Sequence, residues 1–215
     1  MIAMEKRAFL GVAKHKSGNV SNGIVTRGEA PDSTDSRAIR TRAQINSAFV
    51  ELLHRRSYDN MRVSDITRKA GVGRATFYAH FTSKDELLRS QFQGVVVPML
   101  LALPTEPFLL DCRRFFEHIR SAPFIYKAIL GGRERSGARV IRGALEEHLD
   151  SVLTATSLSI DRSIPDLLVK RFVVSALLGV ASHTLNSADQ TDAEEMQRLF
   201  QKLVGSGLSA LQVHK

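Results

Sequence analysis

Val63-Ser64-Asp65-Ile66-Thr67-Arg68-Lys69-Ala70-Gly71-Val72-Gly73-Arg74-Ala75-Thr76-Phe77-Tyr78-Ala79-His80-Phe81 is the stretch whose reading decides the fold. Val63 and Ile66 stand three apart, the spacing of one helix face, and the segment runs on to Ala70. Gly71 is placed to end that helix, because it accepts a left-handed backbone at no steric cost. After Val72-Gly73, Phe77 and Phe81 stand four apart and share one side of a second short helix. The residues between and before them point elsewhere. Two short helices joined by a glycine turn, the second apolar on one side only, read as a helix-turn-helix.

Upstream, Ile45, Ala48, Phe49, Leu52 and Leu53 repeat at the i, i+3, i+4, i+7, i+8 spacing of a buried helical stripe. Arg37, Arg40 and Arg42 lie near the start of that helix, and His54, Arg55 and Arg56 close it. Downstream, Ser83-Lys84-Asp85-Glu86 has the form of a capping box, with Ser83 accepting from the Glu86 N–H and Glu86 reaching back. A further helix therefore starts there and runs through Leu87, Leu88 and Phe92. The four segments together make a small helical bundle built around the helix-turn-helix.

Charge singles out the same region. The chain has 215 residues with 30 Lys and Arg against 22 Asp and Glu. Residues 36–90 hold 11 basic and 5 acidic side chains, net +6, so most of the formal +8 lies in about a quarter of the chain. Residues 91–215 are close to neutral. A compact basic module beside a neutral one predicts a polyanionic partner for the first part only. Residues 1–35 carry no sustained periodicity and are rich in Gly, Ser, Asn, Thr and Asp over 18–36, which reads as a flexible leader.

From Arg42 to Leu88 the sequence resembles the DNA-binding domain of the TetR family of transcriptional regulators. The resemblance is carried by Ile45, Ala48, Leu52 and Leu53, by Tyr58, by Val63-Ser64-Asp65-Ile66, by Ala70-Gly71-Val72, by Thr76-Phe77-Tyr78-x-His80-Phe81, and by Ser83-Lys84-x-x-Leu87-Leu88. Ser57 stands where the family often has Gly, and Arg62 where it often has Ser or Thr. The missing hydroxyl at Arg62 weakens the expected cap of the second helix, with Ser64 as the substitute from a shifted start.

A recognition helix points its N-terminal residues at base edges. Arg74, Ala75 and Thr76 are therefore the expected base readers, Arg74 for guanine O6 and N7, Ala75 or Thr76 beside a thymine methyl. The resemblance implies phosphate contacts at Tyr78 and His80, with Lys84 adding charge at the next helix start. Arg40, Arg42 and Ser64 are further expected phosphate contacts.

Residues 91–215 read as more helices. Leu109, Leu110, Phe115, Phe116 and Ile119 form an apolar face near Cys112, the single cysteine, expected as a small buried residue. Val140, Ile141, Ala144, Leu145, Leu149, Val152 and Leu153 mark an amphipathic helix. Pro165 opens a segment apolar almost all round from Phe172 to Ala181, which must be covered on both sides. Thr191-x-x-Glu194 has the form of another capping box, followed by Met196, Leu199, Phe200, Leu203, Val204, Leu208 and Leu211 on one face. In the family resembled, the last two long helices pair with those of a second copy, which predicts a homodimer.

The expected fold is all-α: a leader at 1–35, a three-helix helix-turn-helix DNA-binding bundle at 36–90, and a larger helical ligand-binding and dimerisation domain at 91–215. The expected function is sequence-specific binding of double-stranded DNA as a homodimeric regulator, a repressor, modulated by a small-molecule effector. The competing readings are a non-specific or architectural nucleic-acid binder and a ligand-free regulator acting through a protein partner. No Gly-rich phosphate loop, HExxH or GxSxG stands in the chain, so no enzyme, cofactor, metal or catalytic residue is expected. His118, Tyr126, His148 and His183 are polar residues among apolar helices, and none is assigned to a ligand. The greasiest stretch, Val95–Leu103, contains Pro98 and is far short of the roughly 20 residues of a membrane span, and a cytoplasmic location is expected.

Overall fold

The computed structural model describes residues 33–103, 110–131, 135–155, 161, 163–186 and 192–211. Most of the leader read at 1–35 lies outside them, and the first helix already begins at Ser33. The described elements are almost all helical: α1 (Ser33–Leu53), α2 (Val63–Ala70), α3 (Arg74–His80), α4 (Lys84–Val95), α5 (Arg113–Ser121), α6 (Pro123–Leu130), α7 (Ser136–Ala155), α8 (Asp166–Asn186) and α9 (Ala193–Ser209). A 3-10 turn at Val97–Met99, opened by Pro98, ends α4. Two-residue strands, Leu101–Ala102 and Leu110–Asp111, pair antiparallel with Leu101 opposite Asp111.

The predicted stripe of α1 is the core of the first module: Ile45, Ala48, Phe49, Leu52 and Leu53 are all buried, with Tyr58, Ile66, Phe77, Phe81, Leu87 and Leu88 packed around them. Phe49 meets Tyr58 edge to face at 6.2 Å, and Phe77 meets Phe81 at 5.8 Å. Aromatic pairs of this kind fix side-chain orientation as well as burying area.

α4 carries the first module into the second. Arg89 pairs with Glu147 of α7, and Gln93 donates to the same carboxylate at 3.2 Å. α8 runs through the second module with Val169, Val173, Val174, Leu177, Val180, Ala181 and Leu185 buried. Cys112 is fully buried, which pushes its thiol well above the usual range. Beside it, Gln197 of α9 accepts from the Cys112 N–H at 2.7 Å and donates to the Leu110 carbonyl at 3.0 Å, so a buried amide ties α9 to the start of α5.

Two details differ from the sequence reading. The cap of α9 is Asp192, which accepts from Glu195 N–H at 2.7 Å; Thr191, the expected cap, lies outside the described residues. A carboxylate there accepts from the third N–H of a helix that starts one residue later than the box placed it. The apolar residues of α9 divide between two faces: Met196, Phe200, Val204 and Leu208 are buried, while Leu199 and Leu203 are exposed. On α8, Leu167, Leu168 and Phe172 are exposed, so within one chain its outer side is open, the side the sequence reading gives to a second copy. By length and composition α8 could cross a membrane, but its inner face packs on α5, α6, α7 and α9 as a core helix does.

Candidate DNA-binding surface

The turn between α2 and α3 is built as the glycine predicted. Gly71 has φ 69°, and no atom lies within 4 Å of where a Cβ would stand, so its backbone conformation alone demands glycine. Its N–H and that of Val72 close on the carbonyls of Arg68 and Thr67, which satisfies the last turn of α2.

The start of α2 is capped differently from expectation. Arg62 is the flanking residue, and the helix begins at Val63 with no shift toward Ser64. Arginine has no acceptor, so the donor satisfied is the Arg62 N–H, which bonds the Asp65 carboxylate at 3.0 Å. Half of a capping box thus survives without the hydroxyl. Asp65 is also 3.2 Å from the Arg56 guanidinium, which draws the end of α1 onto α2.

α3 shows the division a groove-reading helix needs. Phe77 is fully buried and Phe81, just beyond the last turn, is 1% exposed. Arg74, Ala75, Thr76, Tyr78 and Ala79 are exposed on the remaining circumference, and His80 is half-buried at the end. The Tyr78 ring rests edge-on against Phe77 at 5.5 Å with its outer side in solvent. Arg74, Ala75 and Thr76 are the first three residues of the helix and stand together at its N-terminal tip.

The flanking residues fall into two groups. Arg40 is exposed on α1, and Ser64 is half-buried in the first turn of α2. Arg42 is exposed but held: its guanidinium donates to the Ser90 hydroxyl at 2.7 Å and stacks over the Phe81 ring at 4.6 Å. Lys84 has an occupation that its place at the start of α4 did not suggest. Its ammonium donates to the carbonyls of Tyr58 at 3.1 Å, Asp59 at 3.4 Å and Met61 at 3.0 Å, and sits 4.5 Å over the Tyr58 ring. It closes the α1–α2 loop onto α4.

Tyr58 and Asp85 complete this junction. The buried Tyr58 hydroxyl donates to the Asp85 carboxylate, and burial followed by that bond pushes its pKa far above the usual tyrosine value. Ser83 accepts from Glu86 N–H at 3.0 Å as predicted. Glu86, however, reaches back to the N–H and hydroxyl of Thr82, one residue further than the box requires, and those bonds hold its carboxyl below the usual range. In the sequence Tyr58 stands only among the residues that carry the resemblance; its role as a junction was not legible, because its partners come from residues 26 and more positions away.

Residues 45–90 match the family model described as bacterial regulatory proteins, tetR family. The module is a tetR-family DNA-binding domain. An uncharacterized HTH-type transcriptional regulator, YxbF of Bacillus subtilis (strain 168), is 43% identical to this chain over 60 residues, 27% of this chain and 16% of that protein. An uncharacterized HTH-type transcriptional regulator of Haemophilus influenzae is 37% identical over 105 residues, 45% of this chain and 50% of that protein. The chain therefore spans half or less of the curated relatives it matches. The solved structure of the dihydroxyacetone kinase operon activator DhaS is alike in fold, with TM-score 0.51 and 16% identity, over 81% of this chain and 99% of that one. The tetR-family match runs from the middle of α1 through α2 and α3 into the middle of α4, and the likeness in fold to DhaS extends over most of the chain.

Proposed function

We propose that this protein is a cytoplasmic, homodimeric transcriptional repressor that reads a pseudo-palindromic DNA operator and responds to a small-molecule effector in its second domain. The observation that carries the reading is α3: Arg74, Ala75 and Thr76 stand exposed at its tip while Phe77 and Phe81 anchor its other side. Base contacts from that tip supply specificity, and phosphate contacts from Arg40, Ser64, Tyr78 and His80 supply register and affinity. Arg42 and Lys84 border the same surface, already bonded internally, and add positive potential to it.

Dimerisation is supported by the second domain. Leu168 and Phe172 on α8 and Leu199 and Leu203 on α9 form an exposed apolar face on the two long terminal helices, an arrangement that calls for a partner surface. A two-fold axis through that face sets two α3 helices on one side of the duplex, about 10 bp of DNA per turn apart. An effector that favours a different separation weakens binding by as much as it distinguishes the two states.

The test is selection of bound sequences from a random duplex pool at near-physiological salt. Enrichment of an inverted repeat is the expected result. Salt-sensitive binding without enrichment would replace this reading with the non-specific nucleic-acid binder, which the net +6 of residues 36–90 would also suit.

A further inference from the structure

The near-neutral charge of the second domain is an average over two unlike parts. Residues 120–142 hold six basic side chains (Arg120, Lys127, Arg133, Arg135, Arg139 and Arg142) and one acidic, Glu134. The rest of 91–215 holds eight basic and twelve acidic. The fold sets the basic segment against the tetR-family module. Tyr58 N–H donates to the Ala128 carbonyl of α6 at 2.8 Å, and Ser136 at the start of α7 donates to the Asp59 carboxylate through its N–H at 3.2 Å and through its hydroxyl. The Asp59 carbonyl in turn accepts from Lys84.

Three cations on this segment stand out. Lys127, Arg135 and Arg139 are exposed, and among the described residues none is in an ion pair. Arg142, by contrast, donates to Ser175 of α8 at 2.9 Å. Among the described residues Arg135 is also the one non-glycine with positive φ, at 52°, a conformation that costs free energy and delivers Ser136 to Asp59. The three cations thus lie on the part of the second domain that meets the α1–α2 loop of the first module, where Tyr58 bonds Ala128 and Asp59 bonds Ser136.

Resting on the DNA-binding reading above, we infer that Lys127, Arg135 and Arg139 form a second phosphate-binding strip, which grips the DNA backbone outside the half-site read by α3. Like-signed, exposed cations on the domain that packs against the DNA-binding module, none of them in an ion pair among the described residues, are complementary to a phosphate run that continues past the half-site. Each phosphate neutralised releases condensed counterions, so the strip adds affinity and salt dependence without adding sequence preference.

The experiment compares full-length protein with R135Q/R139Q on two duplexes, the selected repeat alone and the same repeat extended by about ten base pairs on each side, roughly one helical turn. On the long duplex the double variant is expected to lower the slope of log K against log salt by about two units per protomer, near 0.9 for each phosphate that is no longer neutralised. On the short duplex the two proteins bind alike, and R135K/R139K, which keeps the charge, restores the wild-type slope. Equal slopes on the long duplex would overturn the strip, and so would equal weakening on both duplexes, which would place these cations inside the half-site. A reduced slope that the lysine pair fails to restore, with a lowered melting temperature, would make the arginines structural and likewise overturn it. Wild-type protein that binds neither duplex would overturn the DNA-binding reading itself, a distinct failure.

Discussion

Lys84 stands over the ring of Tyr58, 4.5 Å from its centroid, and donates to the same residue's carbonyl at 3.1 Å. Two further carbonyls, of Asp59 and Met61, complete its shell. Since Tyr58 also bonds Ala128 of α6 through its N–H, one lysine at the start of α4 fastens the loop that joins the DNA-binding module to the second domain.

Replacing Lys84 by Met removes these bonds while keeping most of the stem. Hydrogen bonds from a charged donor contribute about 1.5–3 kcal/mol, and the ring contact about 0.5–1 kcal/mol more. Thermal melting is expected to fall by several degrees, at about 2–4 °C per kcal/mol for a chain of this size. An unchanged melt would mean the ammonium is held no better here than by water.

Arg74→Ala addresses base reading. If Arg74 pairs with a guanine edge, binding to the selected repeat weakens by about 1–3 kcal/mol and preference relaxes at one position per half-site. Competition among single-base operator variants measures it. Retained preference at every position would remove Arg74 from the base-reading set.

Glycines 71 and 137 should respond differently to alanine. At Gly71 the added methyl meets nothing, so the cost is that of a left-handed alanine, about 1–2 kcal/mol. At Gly137 it would stand 2.5 Å from the Ile129 carbonyl oxygen of α6 and 3.1 Å from Tyr58 Cδ1, so the start of α7 must move away from α6 and from the Tyr58 ring. Gly137→Ala should therefore lower stability more than Gly71→Ala and uncouple the melting of the two modules. Calorimetry resolves one transition from two, and a single unshifted transition would show that the junction yields easily.

Acid should loosen the start of α4. Hydrogen bonds from Thr82 hold the Glu86 carboxyl below its ordinary value. Its folded pKa is thus lower than its unfolded one, so its contribution is complete above the unfolded value and is lost as pH falls through the folded value. Melting temperature followed downward through the carboxylate range should decline less steeply for Glu86→Gln than for wild type. Parallel curves would assign the acid sensitivity elsewhere, Asp111 beside Arg113 being another depressed carboxyl on a built contact.

L168E/L203E probes the dimer. Leu168 is 59% exposed on α8 and Leu203 is 58% exposed on α9, so neither supports the core of one chain. Burying unpaired carboxylates in a dimer face is costly, and sedimentation is expected to change from dimer to monomer with the melt of the monomer preserved. A dimer that persists would place the interface elsewhere.

The sequence by itself determined the first module and the helical class of the second. Periodicity marked Ile45 to Leu53, Phe77 and Phe81 as buried, and Gly71 marked the turn, because local backbone preference and side-chain spacing act within a few residues. The exposed tip Arg74-Ala75-Thr76 followed from the same count. Tertiary structure decided what spacing cannot encode. Bonds between residues far apart in the chain committed Lys84 to three loop carbonyls and gave Gln197 to Cys112 and Leu110, while packing divided Leu199 and Leu203 from Phe200 and Val204. The same long-range bonding brought the basic segment 120–142 beside Asp59, where its charge, diluted in the average of residues 91–215, becomes a local surface. Hydrogen bonding and electrostatics act through space over a few ångströms, and only the fold decides which residues come within that reach.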